Sequence, residues 1–182
     1  MFIADGYNAT SLDKVAEAAG FSKGAVYSNF SGKEELCMEV LDAIHADLLQ
    51  GVVDAFTTET DLDGRIDAFT RWARTELGDP QMTALEAEFS AVARQSTYVA
   101  DQLRNRHRAI TAEISRLLRN VVEEAGYEIG FEPDKAAIAL LSLGIGVGAM
   151  RSLDARLDVD IVGETMRTLL RGVTRPATAA VS

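Results

Sequence analysis

The chain has 182 residues, 47% of them hydrophobic, with a single cysteine and a formal net charge of −10. That length suits an ordinary domain or a small head on a larger body, and the apolar share excludes wholesale disorder. Cys37 has no partner for an intrachain disulfide, which fits a reducing cytoplasm, and the acidic balance, taken alone, argues against nucleic acid as a partner, because phosphate binding rests on Lys and Arg.

Met1-Phe2-Ile3 followed by Asp5 does not read as a secretion leader. From Ser11 to about Ala19 the residues Leu12, Val15, Ala16 and Ala19 recur at helical spacing and share one face. Thr10 is placed to cap this helix, Gly20 to stop it, and Phe21 to plug the turn that follows. A short second helix opens near Ser22 or Lys23 and runs to about Phe30, with Val26 and Phe30 pointing one way. A third starts after Ser31, where Ser31-x-x-Glu34 has the spacing of a capping box. It runs to about Phe56 with Leu36, Val40, Ile44 and Leu48 on one stripe.

The polar stretch from Thr57 to Gly64 reads as a linker. Further helices are expected at about 65–78, 81–95, 97–126, 134–153 and 159–172, punctuated by Gly78-Asp79-Pro80, by Gly126 to Pro133 and by Asp154 to Asp158. No sustained two-residue alternation signals strands. The apolar run from Ala136 to Met150 falls short of a membrane span and reads as a buried helix. The expected fold is therefore all-α: a small head over residues 1–50, a helical body over 51–175, and a frayed tail over 176–182.

Two short helices joined by a glycine-containing turn and followed by a long helix form a helix-turn-helix, whose second helix enters the DNA major groove. That helix reads Ser22-Lys23-Gly24-Ala25-Val26-Tyr27-Ser28-Asn29-Phe30, small and polar with one cation and one phenol. Small residues let the backbone approach the bases, and Lys23 has the reach for a guanine edge or a phosphate. Ser28 and Asn29 both donate and accept, and Tyr27 offers its hydroxyl to a phosphate oxygen. Residues 1–45 nevertheless hold Lys14, Lys23 and Lys33 against Asp5, Asp13, Glu17, Glu34, Glu35, Glu39 and Asp42. Only local placement of the lysines reconciles this head with DNA.

Gly6-Tyr7-x-Ala9-Thr10-Ser11, then Val15-Ala16-x-x-Ala19-Gly20-Phe21-Ser22-Lys23-Gly24-x-x-Tyr27-x-x-Phe30, then Lys33-Glu34-x-Leu36, resembles the N-terminal domain of the TetR family. The resemblance implies that Thr10 and Lys33 anchor phosphates at two helix N-termini and that Tyr27 does so from the recognition helix. It marks Ser11, Ser22, Lys23, Gly24, Ala25, Ser28 and Asn29 as the remaining DNA-facing positions. It also implies a full first helix ahead of Gly6, of which only about one turn is present, so the natural chain is expected to begin upstream of Met1.

The same resemblance implies that the body dimerises and binds a small-molecule effector. Gly144-x-x-x-Gly148 lets two helices approach closely, and Ile161, Val162, Met166, Leu169, Leu170 and Val173 form a stripe on the last helix. Packing within one chain is the alternative for both features. Candidate pocket residues are Phe69, Trp72, Glu76, Met82, Phe89, Arg104 and His107, an apolar set with a few polar groups. The two histidines, His45 and His107, have no second ligand at metal-binding spacing, no nucleophile elbow or phosphate loop occurs, and Cys37 reads as a structural thiol.

The expectation is thus a ligand-responsive regulator of transcription and no enzyme, most often a repressor in this family. It would bind palindromic operator DNA as a homodimer, take a small-molecule effector, use no cofactor or metal, and have no membrane partner. The other reading is a helical ligand-binding or protein-interaction module with an inactive DNA head.

Overall fold

In the computed structural model the described residues are 1–130 and 132–176. Their helices are α1 (Phe2–Ala9), α2 (Leu12–Ala19), α3 (Lys23–Asn29), α4 (Lys33–Thr57), α5 (Leu62–Glu76), α6 (Pro80–Val92), α7 (Thr97–Glu124), α8 (Pro133–Leu153) and α9 (Asp160–Val173). Two three-residue strands, β1 (Tyr127–Ile129) and β2 (Thr174–Pro176), pair antiparallel with Tyr127 opposite Pro176. The all-α class stands. The ladder was not foreseen, because three residues are too few to establish an alternating pattern. The expected tail lies, beyond Pro176, outside the described residues.

The chain divides into two compact units. One joins Met1–Asp47 to Asp79–Arg106, so α6 and the start of α7 pack with the head that the sequence placed at 1–50. The other joins Leu48–Gly78 to the chain from His107 onward. The helices α4 and α7 each contribute residues to both.

The core of the first unit gathers Phe2, Tyr7, Cys37, Met38, Leu41, Leu85, Phe89 and Val99. Tyr7 meets Phe89 edge to face, with ring centroids 5.3 Å apart, a preferred aromatic geometry. The turn Phe2 to Asp5 is what the chain has of a helix before Gly6, where φ is +81° and the helix breaks. That single turn still buries Phe2. Close by, Glu88 of α6 accepts hydrogen bonds from the Asn8 backbone at 3.0 Å and its side-chain amide at 3.1 Å. A Cβ at Gly6 would lie 2.8 Å from the same carboxylate, so the residue is both a left-handed turn and a close approach.

Three local readings of the head change. Ser11, not Thr10, caps α2, accepting from the Lys14 amide at 3.3 Å. Thr10 is instead buried, and its hydroxyl donates to the Gly6 carbonyl at 2.8 Å, which the kink at Gly6 brings within reach. The capping contact before α4 runs from Ser31 to Glu35, not Glu34: both the amide and the hydroxyl of Ser31 donate to Glu35 Oε2 at 2.6 Å. Because α4 opens at Lys33, a capping side chain must come from one residue further on, and Glu34 accepts from Ser96 instead. Phe21, expected to plug the turn, is 65% exposed, since Leu12, Ala16 and Val26 already fill the space between α2 and α3.

In the second unit α5 carries Ile66, Phe69 and Ala73 into a core shared with Phe56, Leu118, Val122, Ala137, Val162, Met166 and Leu170. Asp61 caps α5 by accepting from the Gly64 amide at 2.9 Å. Arg151 of α8 closes its other end, donating to the carbonyls of Arg74 at 2.7 Å and Leu77 at 3.0 Å. Those carbonyls have no partner inside the helix, and a cation suits the negative end of its dipole.

The reading of α8 as a buried helix is corrected. Its most apolar window has a mean hydropathy of 1.7, yet only 22% of that window is buried. Ile138, Ile145, Met150 and Leu153 stand exposed, while Ala136, Ala137, Leu140 and Val147 pack inward. The residues are apolar on both faces, so periodicity did not separate core from surface.

Candidate nucleic-acid interface

The contact face arises from what α2 and α3 bury. Leu12, Ala16 and Val26 make a small core with Phe30 and Leu36 against it. Gly20, in the left-handed region at φ +72°, turns the chain between the helices. With Val26 turned inward, Ser22, Lys23, Gly24, Tyr27, Ser28 and Asn29 are left exposed, and Ala25 is half-buried. These are the positions the sequence assigned to DNA, and the fold brings them together on one short helix.

Their polar atoms are already partly engaged. Ser22 caps α3, its hydroxyl accepting from the Ala25 amide at 3.2 Å. Ser28 and Asn29 both donate to the Ala25 carbonyl, at 2.9 and 2.8 Å. The Lys23 ammonium is ion-paired with Asp13 Oδ2 on α2, and the Tyr27 hydroxyl donates to Asp13 Oδ1 at 3.4 Å. The hydrogen bond that Lys23 donates to Asp13 holds its ammonium above its ordinary pKa.

The other lysines of the head also have internal partners. Lys14 donates to the Ala9 carbonyl at 3.0 Å. Lys33 donates to the carbonyls of Tyr7 at 2.9 Å and Thr10 at 3.0 Å, with its ammonium 4.1 Å from the Tyr7 ring centroid. Thr10 and Lys33, expected at phosphates, therefore have their side chains committed inside the head. Beside them a cleft of about 400 Å³ is lined by Ser31 to Glu35 and Tyr98.

The candidate pocket residues divide between the units. Phe69 and Trp72 meet in the second unit with ring centroids 5.5 Å apart, Phe69 buried and Trp72 half-buried. Glu76 and His107 of that unit are exposed. Met82 and Phe89 pack in the core of the first unit, where Arg104 is exposed and ion-paired with Asp101. A second cleft, about 480 Å³, lies in the second unit between Thr60–Asp63, Ile66, Glu124, Ala125, Tyr127, Arg167 and Arg171, and none of the seven lines it. Cys37 is fully buried, and desolvation pushes its thiol up to about 12, so it is held as an inert thiol.

The candidate dimer residues also split. Val162, Met166 and Leu170 are buried within the chain, and a Cβ at Gly148 would lie 3.5 Å from the Gly78 amide nitrogen. Ile161 and Leu169 stand exposed, and a Cβ at Gly144 would meet nothing within 4 Å. Val173 ends α9, and its side chain lies outside the described part. Sequence reasoning placed Asp13 only at the cap of the first helix and among the acids of the head, and did not mark Glu88; their partners lie ten and eighty residues away and leave no local pattern.

A helix-turn-helix head with a helical body defines an all-helical DNA-binding class, and comparison with known proteins agrees. Residues 1–40 match the model of the bacterial regulatory proteins of the tetR family. The HTH-type transcriptional activator FasR of Mycolicibacterium smegmatis is 40% identical over 68 residues, which are 37% of this chain and 31% of that protein. The aligned stretch thus spans about a third of that relative. Among solved structures, the reduced form of Escherichia coli NemR superposes with a TM-score of 0.70 at 19% identity, covering 98% of this chain and 93% of its own. A SmeT–triclosan complex does so with a TM-score of 0.67 at 18% identity, covering 100% of this chain and 92% of its own. These structures share the fold. The match to the tetR family is carried by the N-terminal head, residues 1–40.

Proposed function

We propose that this protein regulates transcription by binding operator DNA through α3, as a homodimer whose DNA affinity is set by a small-molecule effector. The observation that carries the reading is the exposed, small-residue face of α3, where Lys23 and Tyr27 stand side by side over Gly24 and Ala25. An α-helix with such a face fits the major groove, and Lys23 matches the acceptors of a guanine edge. Thr10 and Lys33 serve this interface by fixing the entry to α2 and α4, whose N-terminal amides favour phosphate. Ser11 sits at the start of α2 for the same purpose.

The dimer is assigned to the apolar surface of α8 with its neighbour α9. Ile138, Ile145, Met150, Ile161 and Leu169 are large apolar side chains left exposed on these two helices, a marker of an interaction surface. A second copy of the chain covers it with no need for a lipid bilayer. A two-fold pair places its recognition helices about one DNA turn apart, roughly 34–36 Å, on a palindrome.

The effector is assigned to the second unit, near Phe69 and Trp72, with Glu76 and His107 as polar candidates. The likeness to a protein solved with triclosan supports a small-molecule role for this fold. The effector acts by binding one of two head arrangements more tightly than the other. Repression through operator occupancy is the first reading of the output. Activation is the second, favoured by the name of the relative FasR.

The test is selection of duplexes from a random pool with the full chain, followed by titration against salt. A recovered palindrome bound with a steep salt dependence supports the proposal. Failure to enrich any sequence, with no binding at low salt, overturns it in favour of a binding module with an inactive head. A reporter carrying the recovered site reads the sign of regulation.

A further inference from the structure

Within the DNA-facing head, one carboxylate touches both functional side chains of the recognition helix. Asp13 projects from α2 with Oδ2 on the Lys23 ammonium and Oδ1 3.4 Å from the Tyr27 hydroxyl. Lys23 and Tyr27 are four residues apart on α3, one turn, so a single carboxylate spans both. The pair is open to water, with Lys23 67% and Asp13 45% exposed at their side chains. It therefore does little for the stability of the fold. Its position matters more, because it puts a negative charge where a phosphate would approach.

We propose that Asp13 is a specificity-determining residue of the DNA interface, tethering Lys23 and Tyr27 to α2 and repelling phosphate that arrives without matching bases. The inference rests on the DNA-binding reading above and deepens it. The physical argument concerns the two kinds of complex. In a non-specific complex the protein gains by placing free cations on phosphates, and counterion release drives the affinity. Here Lys23 is not free: a random phosphate must compete with the carboxylate already on the ammonium, and must tolerate that carboxylate nearby. In a matched complex the tethered ammonium and phenol are already aimed along α3, and base-edge contacts add to what the tether allows. The device lowers the background more than the signal.

It also accounts for an acidic head on a DNA-binding protein. Lys14 and Lys33 are spent on carbonyls of the head itself. Lys23 is left as the cation on the face of α3, and it carries its own counter-charge. Steering by net positive charge is absent from such a surface, so discrimination falls to the contacts made at close range.

The experiment uses the full chain and three variants, Asp13→Asn, Asp13→Ala and Asp13→Glu. Fluorescence anisotropy measures binding to the duplex recovered by selection with the wild-type chain, and to a scrambled duplex of equal composition, over a range of salt. Asp13→Asn and Asp13→Ala are expected to tighten scrambled binding about three- to fivefold at low salt. They should also steepen the salt dependence by about one phosphate equivalent while changing binding to the selected duplex less. Asp13→Glu, which keeps the charge, restores weak scrambled binding. A merely structural Asp13 would lower the melting temperature and weaken both duplexes together, with no change of salt slope. That pattern, or unchanged discrimination in Asp13→Asn, overturns the inference while leaving the DNA reading in place. If the wild-type chain binds neither duplex at low salt, the DNA reading and the inference fall together.

Discussion

The Lys33 ammonium stands 4.1 Å from the centre of the Tyr7 ring and donates to the Tyr7 carbonyl at 2.9 Å, stitching the start of α4 to the end of α1. A second bond to the Thr10 carbonyl, at 3.0 Å, secures the entry to α2. Three elements of the head thus meet at one cation. Lys33→Met keeps the apolar stem and removes the charge; the Tyr7 carbonyl keeps the Thr10 amide at 3.3 Å, while the Tyr7 and Thr10 carbonyls both lose the ammonium. The expected loss is about 1–3 kcal/mol, the cost of unsatisfied polar groups plus a cation–π contact. Urea unfolding of the full chain measures it, and hydrogen exchange should show faster opening of the α1 amides. Unchanged stability with weakened DNA binding would mean the ammonium serves phosphate and not the head.

Gly163 of α9 sits against Thr70 of α5 so tightly that a Cβ would fall on the threonine hydroxyl and 3.2 Å from its Cβ. Thr70 cannot turn away cheaply, because its hydroxyl donates to the Ile66 carbonyl at 2.7 Å and the side chain is branched and buried. Gly163→Ala should therefore cost about 1–3 kcal/mol by overpacking, despite the better helix propensity of alanine. Thr70→Ala in the same chain should recover part of that loss, since it removes the hydroxyl on which the new Cβ would fall. Thermal unfolding of the two single variants and the double variant gives the coupling. Additive effects would show that the two residues do not press on each other.

How far the sequence went depends on the range of the interactions involved. Helical spacing located the helices within a few residues, because amphipathic faces are written locally. The α3 face was legible for the same reason: Val26 buried and its neighbours exposed follow from one turn of helix. Contacts between distant segments were not. Glu88 under Gly6 and Asp13 under Lys23 leave no periodic trace. The caps shifted by one position at both Ser11 and Glu35, because a cap depends on which residue first leaves the helix. In α8 the apolar residues run all round, and only packing shows that Val147 is core and Ile145 is surface.

Acid should loosen α9 from α5. Asp63 of α5 accepts from Arg171 at 2.9 Å and from Arg167 at 3.0 Å, both on α9. The Arg171 hydrogen bond chiefly, with Arg167 helping, holds the Asp63 carboxyl below its ordinary range. A carboxyl with a lowered folded-state pKa binds its proton more readily when unfolded. Its stabilisation is therefore complete above the unfolded value, near 3.9, and is lost as the pH falls through the lower folded value. Asp63 and Arg171 are more than half exposed, so the contribution at neutral pH is about 0.5–1 kcal/mol. Asp63→Asn should lower the melting temperature slightly at pH 7 and leave it unaltered below the folded-state pKa. Equal losses at both pH values would remove the ion pair as the cause.

Ile145 is the most direct probe of the assembly. It is 56% exposed near the middle of α8, with the exposed Ile138 seven residues before it on the same helix. If a second copy covers this surface, an aspartate there is buried without a partner, and removing a buried charge from water costs several kcal/mol. Ile145→Asp should weaken self-association about a hundredfold or more, in line with roughly 1.4 kcal/mol per decade. Helix content should change little, because the side chain is more than half exposed within its own chain. Sedimentation equilibrium then shows a dimer for the wild-type chain and a shift to monomer for the variant. Binding to a palindromic duplex should fall with it, since each half-site is held by one recognition helix and the pair supplies the affinity. A wild-type chain that sediments as a monomer at micromolar concentration would place the second copy elsewhere and leave the α8 surface to another partner.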